Sequence, residues 1–208
     1  ATKNANDGLA MLATIENATN DVTDMLQRIR ELAVQAANDT NGSQDRTYLQ
    51  NEVDSLVAEI NRVSSDTVYN DSVVLDGSLS GSLQVGTASG QVIAFSIDSI
   101  DATTLGVDTL DLSDATNAAS ALTAIDNAIE TVAGNRAGYG ALSNRLEYTV
   151  SNLMNVAEFT TAARSRIEDA DFAAESARLA KAQVLQQTGT AMLAQANASS
   201  QLAIQLIR

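Results

Sequence analysis

Residues 118–167 read AASALTAIDNAIETVAGNRAGYGALSNRLEYTVSNLMNVAEFTTAARSRI. The stretch holds no proline, and Ile125, Val132, Tyr139, Leu146 and Leu153 recur every seven residues. A second row of Leu122, Ile129 and Val150 runs beside the first, with Ala121, Ala128, Leu142 and Val156 on its other flank. That spacing lays the apolar side chains along one stripe of a helix. About fifty residues at 1.5 Å each would make a rod of roughly 75 Å. A usual globular helix has about 11–12 residues. Such a rod cannot bury its stripe alone, so the remaining helices are expected to cover it. Gly134, Gly138 and Gly140 each weaken a helix by about 1 kcal/mol against alanine. The helix is nonetheless expected to run on through them.

Working outward from the rod, the N-terminal side supplies two candidate covers. Ile15, Val22, Ile29 and Ala36 are spaced by seven, as are Met11, Ala18, Met25 and Leu32. Together they make one apolar stripe on a helix over about residues 4–38, roughly 50 Å long. Asn38-Asp39-Thr40-Asn41-Gly42-Ser43 then supplies turn formers. A second helix over about 44–64 presents Leu49, Val53, Leu56, Ile60 and Val63, stepping four, three, four, three. It is the natural antiparallel partner of the first.

The character changes at residues 71–112. Gly77, Gly81, Gly86 and Gly90 fall within fourteen residues, between short β-prone runs at 82–85 and 91–97. In the second run Ile93, Phe95 and Ile97 alternate with the smaller set Val92, Ala94 and Ser96. Hairpins packed on one end of the helical rod are expected. No GxGxxG or GxxxxGK[ST] pattern supports a phosphate-binding loop.

Residues 167–208 read as a separate helix. Glu168, Asp169 and Asp171 place acid at its start, where the helix dipole favours it. Ala182, Gly189, Ala196 and Ala203 recur every seven residues, with Leu185, Met192 and Leu206 in a neighbouring row. Small residues at that spacing let another helix approach closely. Leu202, Ile204, Leu206 and Ile207 form an apolar tip. Packing back on its own rod is one reading; an intermolecular partner is the stronger one. The organisation is thus mainly α: an elongated antiparallel helical bundle over 1–70 and 116–166, a small β-hairpin region over 71–115, and a terminal helix over 167–208.

Composition excludes several classes of function. The chain has 208 residues with no Pro, Cys, His or Trp, and its formal charge is −14. An acidic surface repels phosphate backbones, so nucleic-acid binding is not expected. No apolar run approaches the roughly 18 residues that a membrane span needs. Without histidine or cysteine, and with no polar group placed in a pocket, an enzyme is not expected. The Glu168-Asp169-Asp171 cluster lacks EF-hand spacing, so a helix-start role is expected rather than a metal site. No cofactor is implied. Asn-x-Ser/Thr triplets such as Asn17-Ala18-Thr19 carry no weight. The chain opens Ala1-Thr2-Lys3-Asn4, without methionine and already in a helical pattern, as a chain trimmed at its N-terminus would.

Two stretches carry a family resemblance. Leu26-Gln27-Arg28-Ile29-Arg30-Glu31-Leu32-Ala33-Val34-Gln35 resembles the signature of bacterial flagellin. So does Ser165-Arg166-Ile167-Glu168-Asp169-Ala170-Asp171-Phe172, followed by Gln183-Val184-Leu185-Gln186-Gln187 and Leu193-Ala194-Gln195-Ala196-Asn197. Asn4-Ala5-Asn6-Asp7-Gly8 and Leu75-Asp76-Gly77-Ser78 fit as well, so the resemblance runs in order along essentially the whole chain.

The resemblance implies a structural subunit, secreted unfolded through the flagellar export apparatus and self-assembling into the extracellular filament for swimming. Its implied partners are other flagellin subunits, the flagellar export chaperone and the host flagellin-sensing Toll-like receptor. The receptor hot spot of the family maps onto Arg28, Leu32 and Glu52, with Gln27, Glu31 and Gln35 flanking. Read without the resemblance, Arg28 is a solvated helix charge or an ion-pair partner of Glu31 or Glu52. Leu32 is expected to be shared between the core stripe and the surface edge. Chaperone binding and polymerisation map onto the terminal helix, through Leu179, Leu185, Met192, Leu193, Leu202, Leu206 and Ile207. Against the family pattern, the chain is expected to lack the opening N-terminal segment and the variable outer domains. A hook–filament junction protein is the alternative, sharing the terminal helices but not the RxRELAVQ-like motif.

Overall fold

A computed structural model describes the backbone of residues 1–168 and 171–206, and their side chains as far as residue 199. It divides into two compact units, Ala1–Asn155 and Val156–Arg208.

In the first unit, helix α1 spans Thr2–Ala36 and α2 spans Ser43–Asp66. Helix α1 starts two residues before the expected position and ends two residues sooner, and α2 extends the expected helix by one residue at its start and two at its end. The α1 stripe is buried as its spacing dictates: Ile15, Val22, Ile29 and Ala36 are all fully enclosed. Leu26 takes the buried place expected of its neighbour Met25, which is half-buried. Thr19 is buried too, and its hydroxyl donates to the Ile15 and Glu16 carbonyls at 2.9 and 3.0 Å. That bond inside its own helix lets a polar side chain sit in an apolar stripe.

The 37–42 turn reverses the chain. Arg46 closes it by donating from Nε to the Ala36 carbonyl (2.9 Å) and from Nη2 to that of Asn38 (3.1 Å). The Asn41 amide donates to the Gln35 carbonyl. These donors satisfy carbonyls that the end of α1 leaves open. At the start of α2, the Gly42 N–H donates to Asp45 Oδ2 at 3.0 Å.

A two-residue hairpin follows, with β1 (Val68–Tyr69) antiparallel to β2 (Ser72–Val73). Its turn residues Asn70 and Asp71 both have positive φ, 49° and 63°. That is the geometry of a tight primed turn, and Asn and Asp tolerate it better than other non-glycine residues. The larger hairpin pairs β3 (Ser80–Gln84) with β4 (Val92–Ser96), in register from Ser80↔Ser96 to Gln84↔Val92. The alternation read from the sequence holds: Ile93 and Ile97 are buried and Phe95 half-buried, while Val92, Ala94 and Ser96 are exposed.

The hairpins sit by the start of α1. Asn4 Nδ2 donates to the Gln84 carbonyl and the Tyr69 hydroxyl to the Asp7 carbonyl, both at 3.1 Å. The approach at Gly8 is close: a Cβ there would lie 2.5 Å from Leu83 Cδ1 and 3.3 Å from Leu146 Cδ1, so the Leu83 side chain would have to shift to admit it.

Strand structure ends sooner than expected. From Ile97 to Asp114 the chain is a connector, with one short helix, α3 (Ala102–Leu105). Ile97, Ile100, Val107 and Leu112 anchor it as buried residues at irregular spacing. Side-chain amides of α2 replace a sheet ladder. Gln50 Nε2 donates to the Leu110 carbonyl (2.9 Å), and Gln50 Oε1 accepts from Leu112 N–H (2.7 Å). Asn61 Oδ1 accepts from Ala102 N–H at 2.9 Å.

Helix α4 runs unbroken over Ala115–Glu168, through all three glycines. Asp114 caps its start by accepting from Asn117 N–H at 2.8 Å. It lies antiparallel to α1: Arg30 of α1 bonds Asp126, whereas Gly8 meets Leu146. The stripe of Ala118, Ala121, Ile125, Ala128, Val132, Tyr139 and Leu146 is buried against that core. The cover then thins. Leu153 is half-buried, and Tyr148, Met154, Val156, Phe159 and Ile167 are exposed. The expectation that this chain's helices cover the whole stripe holds as far as Val150, which is half-buried and still packs on the core.

In the second unit, α5 spans Phe172–Leu206. Its start differs from the expected Ile167, because Ile167 and Glu168 belong to α4, where Glu168 Oε2 accepts from Arg164 Nε at 2.6 Å. The acidic cluster is therefore split. Asp171 caps α5 by accepting from Ala173 and Ala174 N–H at 3.0 and 3.3 Å, while Asp169 lies outside the described residues. No helix among the described residues is long and apolar enough to cross a membrane.

Candidate functional site

The α1–α2 face gathers most of the residues singled out in the sequence. Gln27, Arg28, Glu31 and Gln35 are exposed and share one side of α1. Antiparallel packing brings Glu52 of α2 opposite Arg28. Arg28 Nε donates to Glu52 Oε1 at 2.9 Å, Nη2 lies 2.8 Å from the same oxygen, and Nη1 donates to Glu31 Oε2 at 2.9 Å. Both ion pairs considered for Arg28 are therefore made at once. The hydrogen bond to Glu52, then that to Glu31, raises the Arg28 pKa above its ordinary value. Half of the Arg28 side chain remains exposed. The result is a guanidinium held in one orientation with part of its surface open to a partner.

Leu32 is placed differently. It is 1% exposed, wholly in the core rather than at the surface edge. Its place in the seven-residue row with Met11, Ala18 and Met25 turns it inward, so it supports the face from beneath.

Two residues of this neighbourhood escaped the sequence reading. Tyr48 stands four residues before Glu52 on the same side of α2 and is 64% exposed. Its i−4 spacing from Glu52, together with the uncommon exposure of an aromatic ring, is the signal that could have found it. Val34 is also exposed, beside Gln35. On the other side of α1, Arg30 Nε donates to Asp126 Oδ1 at 2.7 Å, an α1–α4 tie that no local spacing foretells.

The second candidate region is α5. Leu179, Leu185, Met192 and Leu193 are all exposed, as is Val184. The side chains of Leu202 and Leu206 lie outside the described residues, as does Ile207. Among the described residues no group of three or more acidic side chains is arranged to hold a metal ion.

Comparison with known proteins places this geometry. Residues 1–80 match the bacterial flagellin N-terminal helical region, and residues 122–207 match the C-terminal helical region. Flagellin of Halalkalibacterium halodurans is 41% identical over 211 residues, spanning 100% of this chain and 78% of that protein. Flagellin of Bacillus subtilis is 36% identical over 245 residues, spanning 100% and 80%. The crystal structure of Bacillus cereus flagellin superposes with a TM-score of 0.65 at 31% identity, over 73% of this chain and 89% of that one. Flagellins are structural, non-enzymatic subunits of the extracellular flagellar filament, and this chain belongs to the bacterial flagellin family.

Proposed function

We propose that this filament subunit is recognised by the host flagellin-sensing Toll-like receptor through the α1–α2 face centred on Arg28 and Glu52. Gln27, Glu31 and Gln35 flank that centre and Leu32 backs it. The observation that carries this reading is the double clamp on Arg28 by Glu31 and Glu52, with half the side chain left exposed. A side chain already fixed by its neighbours loses little freedom on binding. Arginine is also over-represented among interface hot spots. Replacing Arg28 with alanine is expected to weaken receptor signalling while leaving the melting temperature nearly unchanged. Equal signalling by mutant and parent would remove Arg28 from the site.

The same reading extends to export. The chain leaves the cell through the flagellar export apparatus, with α5 held beforehand by the flagellar export chaperone. Leu179, Leu185, Met192 and Leu193 offer an uncovered apolar helix to a groove, and Leu202, Leu206 and Ile207 continue that sequence pattern. Light scattering of chain and chaperone together is expected to give a one-to-one complex. Loss of that complex in Leu185→Asp would confirm the surface, and an undiminished complex would exclude it.

A further inference from the structure

We propose that Asn41 is a site of spontaneous covalent modification, at which the side-chain amide is lost as ammonia with Asp45 acting as the base. The inference stands apart from receptor binding and export.

The sequence supplies the reactive pair. An asparagine amide is attacked by the backbone nitrogen of the residue that follows it, and a side chain on that residue shields the nitrogen. Asn41 is the one asparagine of this chain followed by glycine. Attacking and attacked groups are neighbours in one chain, so no encounter has to be made.

The fold supplies the base. Asn41 and Gly42 lie in the turn between α1 and α2, with Asn41 half-buried and Gly42 exposed to the water that a later step consumes. Gly42 stands just before the first turn of α2, and its N–H donates to Asp45 Oδ2 at 3.0 Å. A carboxylate oxygen is therefore within reach of the proton that the attacking nitrogen must lose, at a distance suited to a general base. The amide under attack is held too, with Asn41 Nδ2 donating to the Gln35 carbonyl.

The Gly42 nitrogen passes its proton to Asp45 Oδ2 and bonds to Asn41 Cγ. The Cγ–Nδ2 bond then breaks, and the amide nitrogen takes that proton back and leaves as ammonia. Water opens the cyclic imide at either carbonyl, leaving aspartate or isoaspartate at position 41. Nothing is oxidised or reduced, and water is the only co-reactant. The product adds a negative charge to a chain already at −14. Its carboxylate has no proton to donate, so it repels the Gln35 carbonyl oxygen where the amide made a bond. The turn joins the helices that carry Arg28 and Glu52, so the α1–α2 pair loses a tie at that end.

Peptide mapping by mass spectrometry, on the intact chain aged at neutral pH, tests the site. Position 41 is expected to gain the mass of an acid in place of an amide, divided between aspartate and isoaspartate. Asn70, exposed in a turn but followed by Asp71, should stay intact. Asp45→Asn keeps an acceptor oxygen without the base and should slow conversion at least about tenfold, less than the usual contribution of a positioned base because a carboxylate is a weak one here. Gly42→Ala should slow it as well, because its methyl group shields the nitrogen. That variant should stay folded, since φ at Gly42 is −76° and the new Cβ would lie in ordinary contact, 3.4 Å from Asp45 Oδ2. The aged parent should melt below the fresh one. The proposal is overturned by an Asn41 that survives weeks of ageing, by an Asn70 that converts as fast, or by an Asp45→Asn chain that converts at the parent's rate. A converted chain that melts as the fresh parent does would overturn the loss of the tie to Gln35.

Discussion

The two halves of α4 carry the same kind of apolar repeat and have opposite fates. From Ala118 to Leu146 the stripe is buried, with Ile125, Val132 and Leu146 fully enclosed. Past Val150 that row continues through Leu153, half-buried, to Ile167, 84% exposed, while Phe159, off the row, is 72% exposed. Periodicity reports that a stripe exists and which side of the helix it takes. It does not report whether the same chain supplies the cover. The cover here is α1 and what it carries, and its antiparallel run ends at Thr2, opposite the region just past Leu146.

The sharpest way to break this comparison is a matched pair of truncations. Val132→Ala or Leu146→Ala should lower unfolding free energy by about 2–5 kcal/mol for the larger side chain and less for valine, the range for enclosed aliphatic residues. Phe159→Ala, in the open half, should stay within about 0.5 kcal/mol of the parent. Denaturant titration measures both. A large loss at Phe159 would mean that the open half is covered in solution.

A smaller effect separates the connector from the helices. Asp101 caps α3 by accepting from Thr104 N–H at 2.7 Å, and the Thr104 bond lowers its pKa below the ordinary 3.8 despite partial burial. Asp101→Ala should destabilise by about 0.5–2 kcal/mol at neutral pH. A depressed folded pKa gives stability that is full above the ordinary value and is lost as pH falls through the folded one. The parent and Asp101→Ala should therefore converge in acid below about pH 4. A difference that persists unchanged there would assign the effect to packing.

The smallest effect tests the glycines against one another. Gly134→Ala should stabilise by about 1 kcal/mol, because its Cβ meets nothing. At Gly8 the same helical gain is opposed by Leu83, only 2.5 Å from the new atom. Equal gains at both positions would mean that Leu83 yields freely.

Much of this was legible in the sequence. The rows through Ile15, Val22 and Ile29 and through Ile125, Val132 and Tyr139 named buried positions. The alternation at Ile93, Phe95 and Ile97 named the inner face of a strand. The connector was not legible, because Gln50 and Asn61 fix it by long-range amide bonds that leave no periodic trace. Nor was the Asn70-Asp71 turn, whose two strands have only two residues each. At the α1–α2 face the sequence located Arg28, Glu31 and Glu52 and their possible pairings. It misjudged Leu32, since a stripe two rows wide does not say which edge is covered, and it passed over Tyr48.

Native-state hydrogen exchange tests the central claim most directly, because it reads stability residue by residue. Amides of Ile125, Val132, Tyr139 and Leu146 should exchange only through global unfolding. Those from Phe172 to Ser199 should exchange orders of magnitude faster, as expected of a helix whose side chains are all exposed. Equal protection in the two segments would contradict the account, because α5 would then have found a cover of its own.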